Sequence, residues 1–302
     1  MKYYPEGVCQ ELNKKLNTME DVKNAMQSRA VLEGRVVLCD REHNLHIDLG
    51  GISGIIPYNE GAVGIIEGTV RDIALISKVN KRVCFRVMGI HKDEYNQPVV
   101  ILSRRSVQLD CFKDFVNKLN QGDIIDARVT RLESFGAFID IGAGINSLIP
   151  IDMLSVSRIS HPSQRLSDGQ MIKVALKKRE ETKLTFTLKE LLGTWEENAC
   201  RFSVGETVTG IVRSVESYGI FVELAPNLAG LAELCDGVQV GQRVSVFIKS
   251  IIPEKMKIKL IVVDSFNETA APEELEYFVK DDHLSKWQYS PAESQKQICT
   301  VF

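Results

Sequence analysis

The sequence FGAFID at residues 135–140 recurs 83 residues further on as YGIFVE at residues 218–223. The same spacing separates Ser147 from Gly230. A weaker copy, HNLHID at residues 43–48, lies 92 residues before the first of these motifs. Because repetition at a nearly fixed spacing is the signature of a repeated structural unit, the sequence predicts three copies of one unit.

Each copy has the pattern of a small β domain. In the second copy, short runs rich in β-branched and apolar residues (124–132, 138–141 and 184–188) are separated by Gly, Asp and Asn. This pattern is typical of strands joined by turns. A unit of about 60–75 residues with four or five strands suits a closed barrel, because closure removes exposed sheet edges. The expected fold is therefore mainly β, with three tandem five-stranded barrels joined by helical linkers and a short α/β tail.

The expected domains follow one another along the chain. They are an N-terminal helical segment (1–29), a degenerate first barrel (30–106), a connector helix (107–120), a second barrel (121–190), a helical linker (191–203), a third barrel (204–264) and an acidic, aromatic tail (265–302). Thr18 and Asp21 form a capping-box pattern, which indicates that a helix begins at this point.

The charge distribution limits how this chain can bind nucleic acid. It has 37 basic and 40 acidic residues, a net charge of −3, whereas strongly basic nucleic-acid-binding domains have pI values above about 9. The tail, residues 265–302, holds 3 basic and 7 acidic residues, so the preceding 264 residues carry a net charge of +1. Binding to nucleic acid would therefore depend on stacking and on local groups of cations.

The repeats resemble the S1 domain, the OB-fold RNA-binding module named for bacterial ribosomal protein S1. The second copy carries the motifs most completely: Gly122-Asp123, Phe135-Gly136-Ala137-Phe138, Ser147-Leu148-Ile149-Pro150, His161-Pro162, Gly169-Gln170 and residues 184–189. Leu102-Ser103-Arg104-Arg105 is similar to the shorter tandem proteins of low-GC Gram-positive bacteria. The resemblance covers residues 30–264 and implies OB-fold barrels that bind single-stranded RNA in translation or RNA metabolism.

Aromatic and basic residues of the second and third copies are the candidate RNA-binding residues, because rings stack on bases and cations contact phosphates. Gly136, between two phenylalanines, permits a bulge or a positive φ that would bring both rings to one face. The candidates are Phe135, Phe138, Arg131, Lys173, Arg179, Lys183 and His161 in the second copy, and Tyr218, Phe221, Arg213, Lys249, Lys255 and Lys257 in the third. The other interpretation of Phe138 and Phe221 is that they belong to the barrel cores.

The remaining candidates are less specific. His43 and His46 occupy the aromatic positions of the first copy and form a weaker stacking platform. Their spacing from Cys39 suits a metal ion poorly, so we expect no metal site. The resemblance implies that this degenerate copy docks on protein, such as the small ribosomal subunit. Residues 155–161 form a loop that the third copy lacks, and it could either fold over RNA or cap the barrel.

Two functions remain open from the sequence. One is non-catalytic binding of single-stranded RNA, with mRNA as the expected partner. The other is a protein-interaction adaptor that keeps the fold with little RNA affinity. The adaptor is favoured by the near-neutral charge and by Pro57, Pro150 and Glu233, which stand where the family commonly has histidine. Phosphate-binding-loop and His-Glu-x-x-His motifs are missing from the sequence, so we expect neither catalysis nor a cofactor.

The sequence also indicates where the protein works. Its seven cysteines are scattered without a Cys-x-x-Cys pair, which is typical of reduced thiols in a cytoplasmic protein. It contains neither an apolar run of about 18 residues nor an N-terminal signal-peptide pattern, so we expect no contact with membranes. We expect a monomer.

Overall fold

Three closed barrels of five strands each form most of the molecule, which confirms the expected mainly β fold. The computed structural model describes residues 3–92, 95–180, 183–269 and 274–302. The chain divides into two compact units. One contains residues 1–119 and 140–146, and the other contains residues 120–139 and 147–302.

The first barrel follows an N-terminal helical segment. Its strands are β1 (Leu32–Cys39), β2 (Leu45–Asp48), β3 (Ser53–Ile56), β4 (Arg82–Lys92) and β5 (Pro98–Ser103), in the spatial order β1-β2-β3-β5-β4. Alternating residues face inward, so that Leu45, Ile56 and Phe85 are fully buried. Helix α1 (Met19–Gln27) begins at the predicted capping box, in which Thr18 and Asp21 each accept the other's backbone N–H. Helix α2 (Ile73–Ile76) lies between β3 and β4.

A buried ionic cluster fastens the N-terminal segment to this barrel. The Arg104 guanidinium donates to both carboxylate oxygens of Glu6, at 2.6 and 3.1 Å, and Lys78 donates to the same carboxylate at 2.9 Å. Burial alone would raise the pKa of Glu6, but the two cations hold it well below its usual range. Because removing one partner would leave a buried charge uncompensated, the cluster fixes the position of residues near Glu6.

Glu33 on β1 gives a testable pH dependence. Its buried carboxyl accepts the backbone N–H of Gly7 at 3.1 Å, and burial raises its pKa to about 7. The pKa of an unfolded glutamate is about 4.3. Between about pH 4.3 and about pH 7, Glu33 is therefore more often protonated in the folded chain than in the unfolded chain. Because the folded chain binds more protons in this range, the contribution of Glu33 to stability grows as the pH falls. Glu33→Gln keeps an acceptor for Gly7 but cannot ionise. We expect the stability of this variant relative to wild type, measured by urea denaturation, to be higher at about pH 8 than at about pH 5. If the variant and wild type differ in stability by the same amount at both pH values, the pKa of Glu33 is not raised by folding.

The second and third barrels repeat the same order of strands. The second consists of β6 (Ile124–Glu133), β7 (Gly136–Asp140), β8 (Asn146–Pro150), β9 (Met171–Arg179) and β10 (Leu184–Thr187). The third consists of β11 (Thr207–Glu216), β12 (Gly219–Ala225), β13 (Leu228–Ala232), β14 (Gln242–Ile252) and β15 (Lys257–Thr269). Strand β15 continues beyond the expected limit at residue 264, because its pairing with β14 extends to Thr269 opposite Gln242.

The segments before the second and third barrels are helical but shorter than expected. Helix α3 (Arg105–Asp114) ends at Phe115, whose φ of −128° breaks the α-helix, and a 3-10 turn (Val116–Lys118) follows. The predicted continuous helix over residues 107–120 is therefore wrong at its C-terminal end. Helix α4 (Trp195–Ala199) occupies the expected linker, residues 191–203, and its Trp195 is buried.

The tail packs through its aromatic side chains. Trp287 and Tyr289 are buried against the core of the third barrel, and the Tyr289 hydroxyl donates to the carbonyl of Asn227 at 2.6 Å. In residues 274–302 the regular elements are two paired strands, β16 (Lys286–Gln288) and β17 (Cys299–Val301). The expectation of a helix in an α/β tail is wrong for these residues, which form two short paired strands and are otherwise mostly irregular. Residues 270–273 of the tail lie outside the described residues.

Candidate nucleic-acid interface

Phe135 and Phe138 form an aromatic pair on the outside of the second barrel. Phe135 lies in the turn between β6 and β7 and is 54% exposed, while Phe138 on β7 is half-buried. Their ring centroids are 5.9 Å apart with perpendicular planes. The neighbours of Phe138 on β7, Ala137 and Ile139, are fully buried and fill the barrel. Phe138 therefore lies on the outer face of its strand, and the alternative assignment of this ring to the core is wrong.

The third barrel repeats this arrangement. Tyr218 lies in the turn before β12 and is 66% exposed, and Phe221 is half-buried on β12. The two centroids are 6.1 Å apart, again with nearly perpendicular planes. In both barrels one ring projects from a turn and the other lies on a strand, so each pair offers an exposed ring on which a base can stack.

The glycine inside each pair allows neighbouring backbone to approach closely. A Cβ added to Gly136 would lie 2.3 Å from the carbonyl oxygen of Ile149 on β8, and one added to Gly219 would lie 2.6 Å from that of Ala232 on β13. Gly219 has φ of 152°, whereas Gly136 is not among the residues with positive φ. Of the two predicted alternatives, a bulge or a positive φ, the positive φ is thus absent at Gly136, where the close approach of the next strand explains the glycine.

Cross-strand pairing places cations beside Phe221. Phe221 on β12 lies opposite Leu231 on β13, and Leu231 lies opposite Lys259 on β15. Residues directly opposite each other on neighbouring strands share a face of the sheet. Lys257 precedes Lys259 by two residues and is exposed on the same side. Phe221, Leu231, Lys259 and Lys257 therefore form one continuous outer surface, here called the aromatic–lysine row.

The other cations of the third barrel differ in availability. Lys249 is exposed, and its Nζ lies 3.8 Å from Glu233. Lys255 is exposed in the turn before β15. Arg213, in contrast, has only 7% of its side chain exposed and donates to both oxygens of Glu223, at 3.0 and 2.8 Å. Its guanidinium is buried and engaged by Glu223, so its assignment as a phosphate-binding residue is corrected to a structural one.

The second barrel has a corresponding surface with its cations at different places. Leu148 on β8 pairs with Thr185 on β10, which lies opposite Lys178 on β9. By the 83-residue offset, Leu148 corresponds to Leu231. Thr185 on β10 therefore occupies the position that Lys259 has in the third barrel. The nearest cation in this row of paired residues is Lys178, on the neighbouring strand β9.

The predicted cations of the second barrel are all exposed. Arg131 lies on β6 with its Nε 2.5 Å from Glu133, and Lys173 on β9 has its Nζ 3.5 Å from Asp126. Arg179 ends β9, and Lys183 lies just before β10. Salt bridges between such exposed side chains are weak, so these cations can exchange a carboxylate partner for a phosphate.

His161 and the loop before it have local structural roles. The His161 ring accepts the backbone N–H of Ser163 on Nδ1 at 3.1 Å, so the neutral ring carries its proton on Nε2. Val156 packs against the core of the third barrel, and its backbone N–H donates to Asn227 at 3.0 Å. Loop 155–161 was expected either to fold over RNA or to cap the barrel. These contacts favour capping, and the surface that the loop covers belongs to the third barrel.

Both histidines of the first barrel are paired with carboxylates. His46 Nε2 lies 2.9 Å from Asp40, and His43 Nε2 lies 3.5 Å from Asp72. Burial would raise the pKa of Asp40, but hydrogen bonds from His46 and Asn44 lower it to about 2. Negative charge therefore lies where the other barrels present rings, which makes this surface a poor place for RNA phosphates.

The outer surface of the first barrel is also apolar where the third is basic. His46 lies opposite Ile55, and Ile55 lies opposite Ile101. Ile101 thus holds the position that Lys259 has in the third barrel. Leu148, Thr185 and Leu231 were not among the candidates from the sequence. Their spacing from the aromatic motifs, together with strand alternation, was sufficient to place them on the outer surface beside the aromatic pairs.

Comparisons with known proteins show which families and proteins this chain is similar to. The S1 RNA binding domain family matches residues 118–187. Small ribosomal subunit protein bS1 of Staphylococcus aureus is 34% identical over 181 residues, which are 54% of this chain and 46% of the relative. A bS1 homolog of Bacillus subtilis is 28% identical over 285 residues, 91% of this chain and 71% of the relative. The resemblance to the S1 family is thereby confirmed, and the chain spans about half the length of the Staphylococcus relative.

One solved structure also aligns with much of the chain. A multidomain protein with nucleic acid binding domains from Streptococcus pneumoniae covers 78% of this chain and 73% of its own, at 13% identity and a TM-score of 0.24. Among the described residues, none of the helices has the length and apolarity needed to cross a bilayer.

Proposed function

We propose that this chain, which resembles ribosomal protein bS1 and carries an S1 RNA binding domain in its second barrel, is a non-catalytic single-stranded RNA-binding protein. The second and third barrels hold the RNA through their exposed aromatic pairs and the cations beside them. The observation that carries the proposal is the aromatic–lysine row of the third barrel, where Phe221 and Lys259 share one surface. A ring and a cation on one face suit a base and the phosphate next to it.

The two RNA-binding barrels act together. Arg165 of the second barrel makes a two-pronged ion pair with Glu223 of the third, at 2.8 and 2.9 Å, and both side chains are buried. A strand bound at one barrel is then presented to the other at a high effective concentration. This supports a longer RNA ligand than one barrel could hold.

The protein works in translation or RNA metabolism in the cytoplasm, as a monomer, with mRNA as its RNA partner. The first barrel docks on another protein surface, which we propose is that of the small ribosomal subunit. The paired histidines and the isoleucines of that barrel support protein contact over RNA contact. The adaptor function for the whole chain is not favoured, because each of the other two barrels presents an exposed aromatic ring, Phe135 or Tyr218.

The salt dependence of RNA binding tests this function. Each phosphate contact to a single strand contributes a slope of about −0.7 to the plot of log affinity against log salt. With roughly two to four contacts, we expect a slope between about −1.5 and −3 for a uridine-rich oligonucleotide, measured by fluorescence anisotropy. A slope near zero would contradict cation–phosphate contacts. No binding even at low salt would favour the adaptor.

A further inference from the structure

The first barrel carries an open cleft of about 460 Å³, outside the surface of His43 and His46. It is lined by the N-terminal segment Asn13–Lys15, by Glu33–Arg35 and Val37 on β1, by the end of β2 and by Asn80 and Arg82 at the start of β4. This volume is in the range of small-ligand sites. Four cations line it: Lys14, Lys15, Arg35 and Arg82.

Two of these cations face each other in an unfavourable arrangement. Arg35 and Arg82 are directly opposite in the antiparallel pairing of β1 with β4, and like charges at such positions are destabilising. Each donates to a neutral amide oxygen: Arg35 to Asn80 at 3.2 Å, and Arg82 to Asn13. Because a guanidinium has five N–H donors, both arginines keep donors for a further acceptor. An anion between them would turn the repulsion into attraction.

The two carboxylates of the cleft are engaged by backbone amides. Asp48 accepts the N–H groups of Gly50 and Gly51, each at 2.9 Å, and Glu33 accepts that of Gly7. Lys14 and Lys15 are exposed, and the Lys15 side chain lies beside Gly50, at the same end of the cleft as Asp48. The described lining residues include no aromatic side chain, so the cleft offers donors for oxyanions and no platform for a base.

We propose that this cleft binds a phosphate-bearing ligand. Arg35 and Arg82 donate to the phosphate oxygens from two neighbouring strands, in the forked geometry that arginine adopts with phosphate. Lys14 and Lys15 add charge from the N-terminal segment. The phosphate comes either from a free polyphosphate or nucleotide, or from the backbone of RNA. The site does not depend on the aromatic pairs and stands whether or not they bind bases.

Titration of the full chain with inorganic pyrophosphate by isothermal calorimetry tests the site. We expect one site per chain in wild type and an affinity that falls by about tenfold or more in Arg35→Ala/Arg82→Ala, because charge-assisted hydrogen bonds are lost. The matched control is Lys23→Ala/Arg41→Ala, which removes two exposed cations of the same unit outside the cleft and should bind as wild type. Both arginines of the cleft are exposed, so their replacement should not unfold the barrel, and circular dichroism checks this.

A second titration, with a single-stranded RNA oligonucleotide in place of pyrophosphate, identifies the source of the phosphate. If pyrophosphate competes with RNA and the arginine variant loses RNA affinity, the cleft takes the RNA backbone. If RNA affinity is unaffected, it takes a free phosphate ligand. The proposal is overturned if the arginine variant binds pyrophosphate as tightly as wild type, if sulfate binds equally well, or if wild type does not bind pyrophosphate at low ionic strength. RNA binding that fails in Phe135→Ala/Phe138→Ala while pyrophosphate binding persists separates this site from the aromatic one.

Discussion

Replacing Phe135 and Phe138 together by alanine should weaken the binding of single-stranded RNA by at least about thirtyfold, since each stacked base contributes roughly 1–3 kcal/mol. The two rings form one unit with centroids 5.9 Å apart, so both must be removed to abolish the platform. Phe135 is exposed and Phe138 half-buried, so the loss should appear in RNA affinity much more than in folding. Fluorescence anisotropy with a labelled oligonucleotide measures the affinity, and thermal unfolding measures the stability.

The repeat supplies a matched control. His43→Ala/His46→Ala alters the corresponding positions of the first barrel, whose imidazoles are already paired with Asp72 and Asp40. We expect this variant to bind RNA as wild type does. Equal losses in the two variants would indicate that all three barrels bind RNA alike, and an unchanged affinity in the phenylalanine variant would rule out stacking on the second barrel.

Replacing Glu223 by alanine should lower the unfolding free energy by about 3–5 kcal/mol, the usual cost of removing one member of a buried ion pair. Glu223 accepts two hydrogen bonds from Arg165 and two from Arg213. Burial would raise its pKa, but the two arginines lower it, so it stays ionised at neutral pH. Without it, two guanidinium groups remain buried next to each other with no countercharge. The midpoint and slope of urea denaturation measure the effect.

Two further variants separate the buried charge from the loss of a side chain. Glu216→Ala removes an exposed glutamate from β11 of the same barrel and should change stability by less than about 0.5 kcal/mol. Replacing Arg165, Glu223 and Arg213 together by Met, Leu and Met should recover much of the loss, since apolar replacements of whole buried ionic groups are often tolerated. A Glu223 variant as stable as the Glu216 variant would show that the cluster does not hold the second and third barrels together.

The sequence was sufficient to predict the barrels because their signals are local and repeated. Strand alternation and the 83-residue spacing depend only on neighbouring residues, and the capping box at Thr18 lies within four residues. The end of α3 was not predictable in the same way. The connector helix was expected over residues 107–120, but the backbone leaves the α conformation at Phe115.

The site was predicted less completely, because availability depends on long-range contacts. In the sequence, Arg213 looks like an exposed strand cation. Its structural role depends on Glu223, which lies ten residues away in the chain and across the sheet, and on Arg165 from the second barrel, which binds the same carboxylate. The pairing of His43 with Asp72 was equally hidden, since 29 residues separate them in the chain. In contrast, the exposure of Phe135 and Tyr218 followed from their place at a turn, whereas the sequence left open whether Phe138 and Phe221 belong to the barrel cores.

The proposed function requires RNA to contact the aromatic surfaces of the second and third barrels and to avoid that of the first. Photo-crosslinking of a single-stranded RNA containing 4-thiouridine to the full chain, followed by mass spectrometry, locates these contacts. We expect crosslinked peptides that contain residues 135–138 and 218–221. Crosslinks confined to residues 43–58 of the first barrel, or spread evenly over all three barrels, would show that RNA does not select the aromatic surfaces of the second and third barrels.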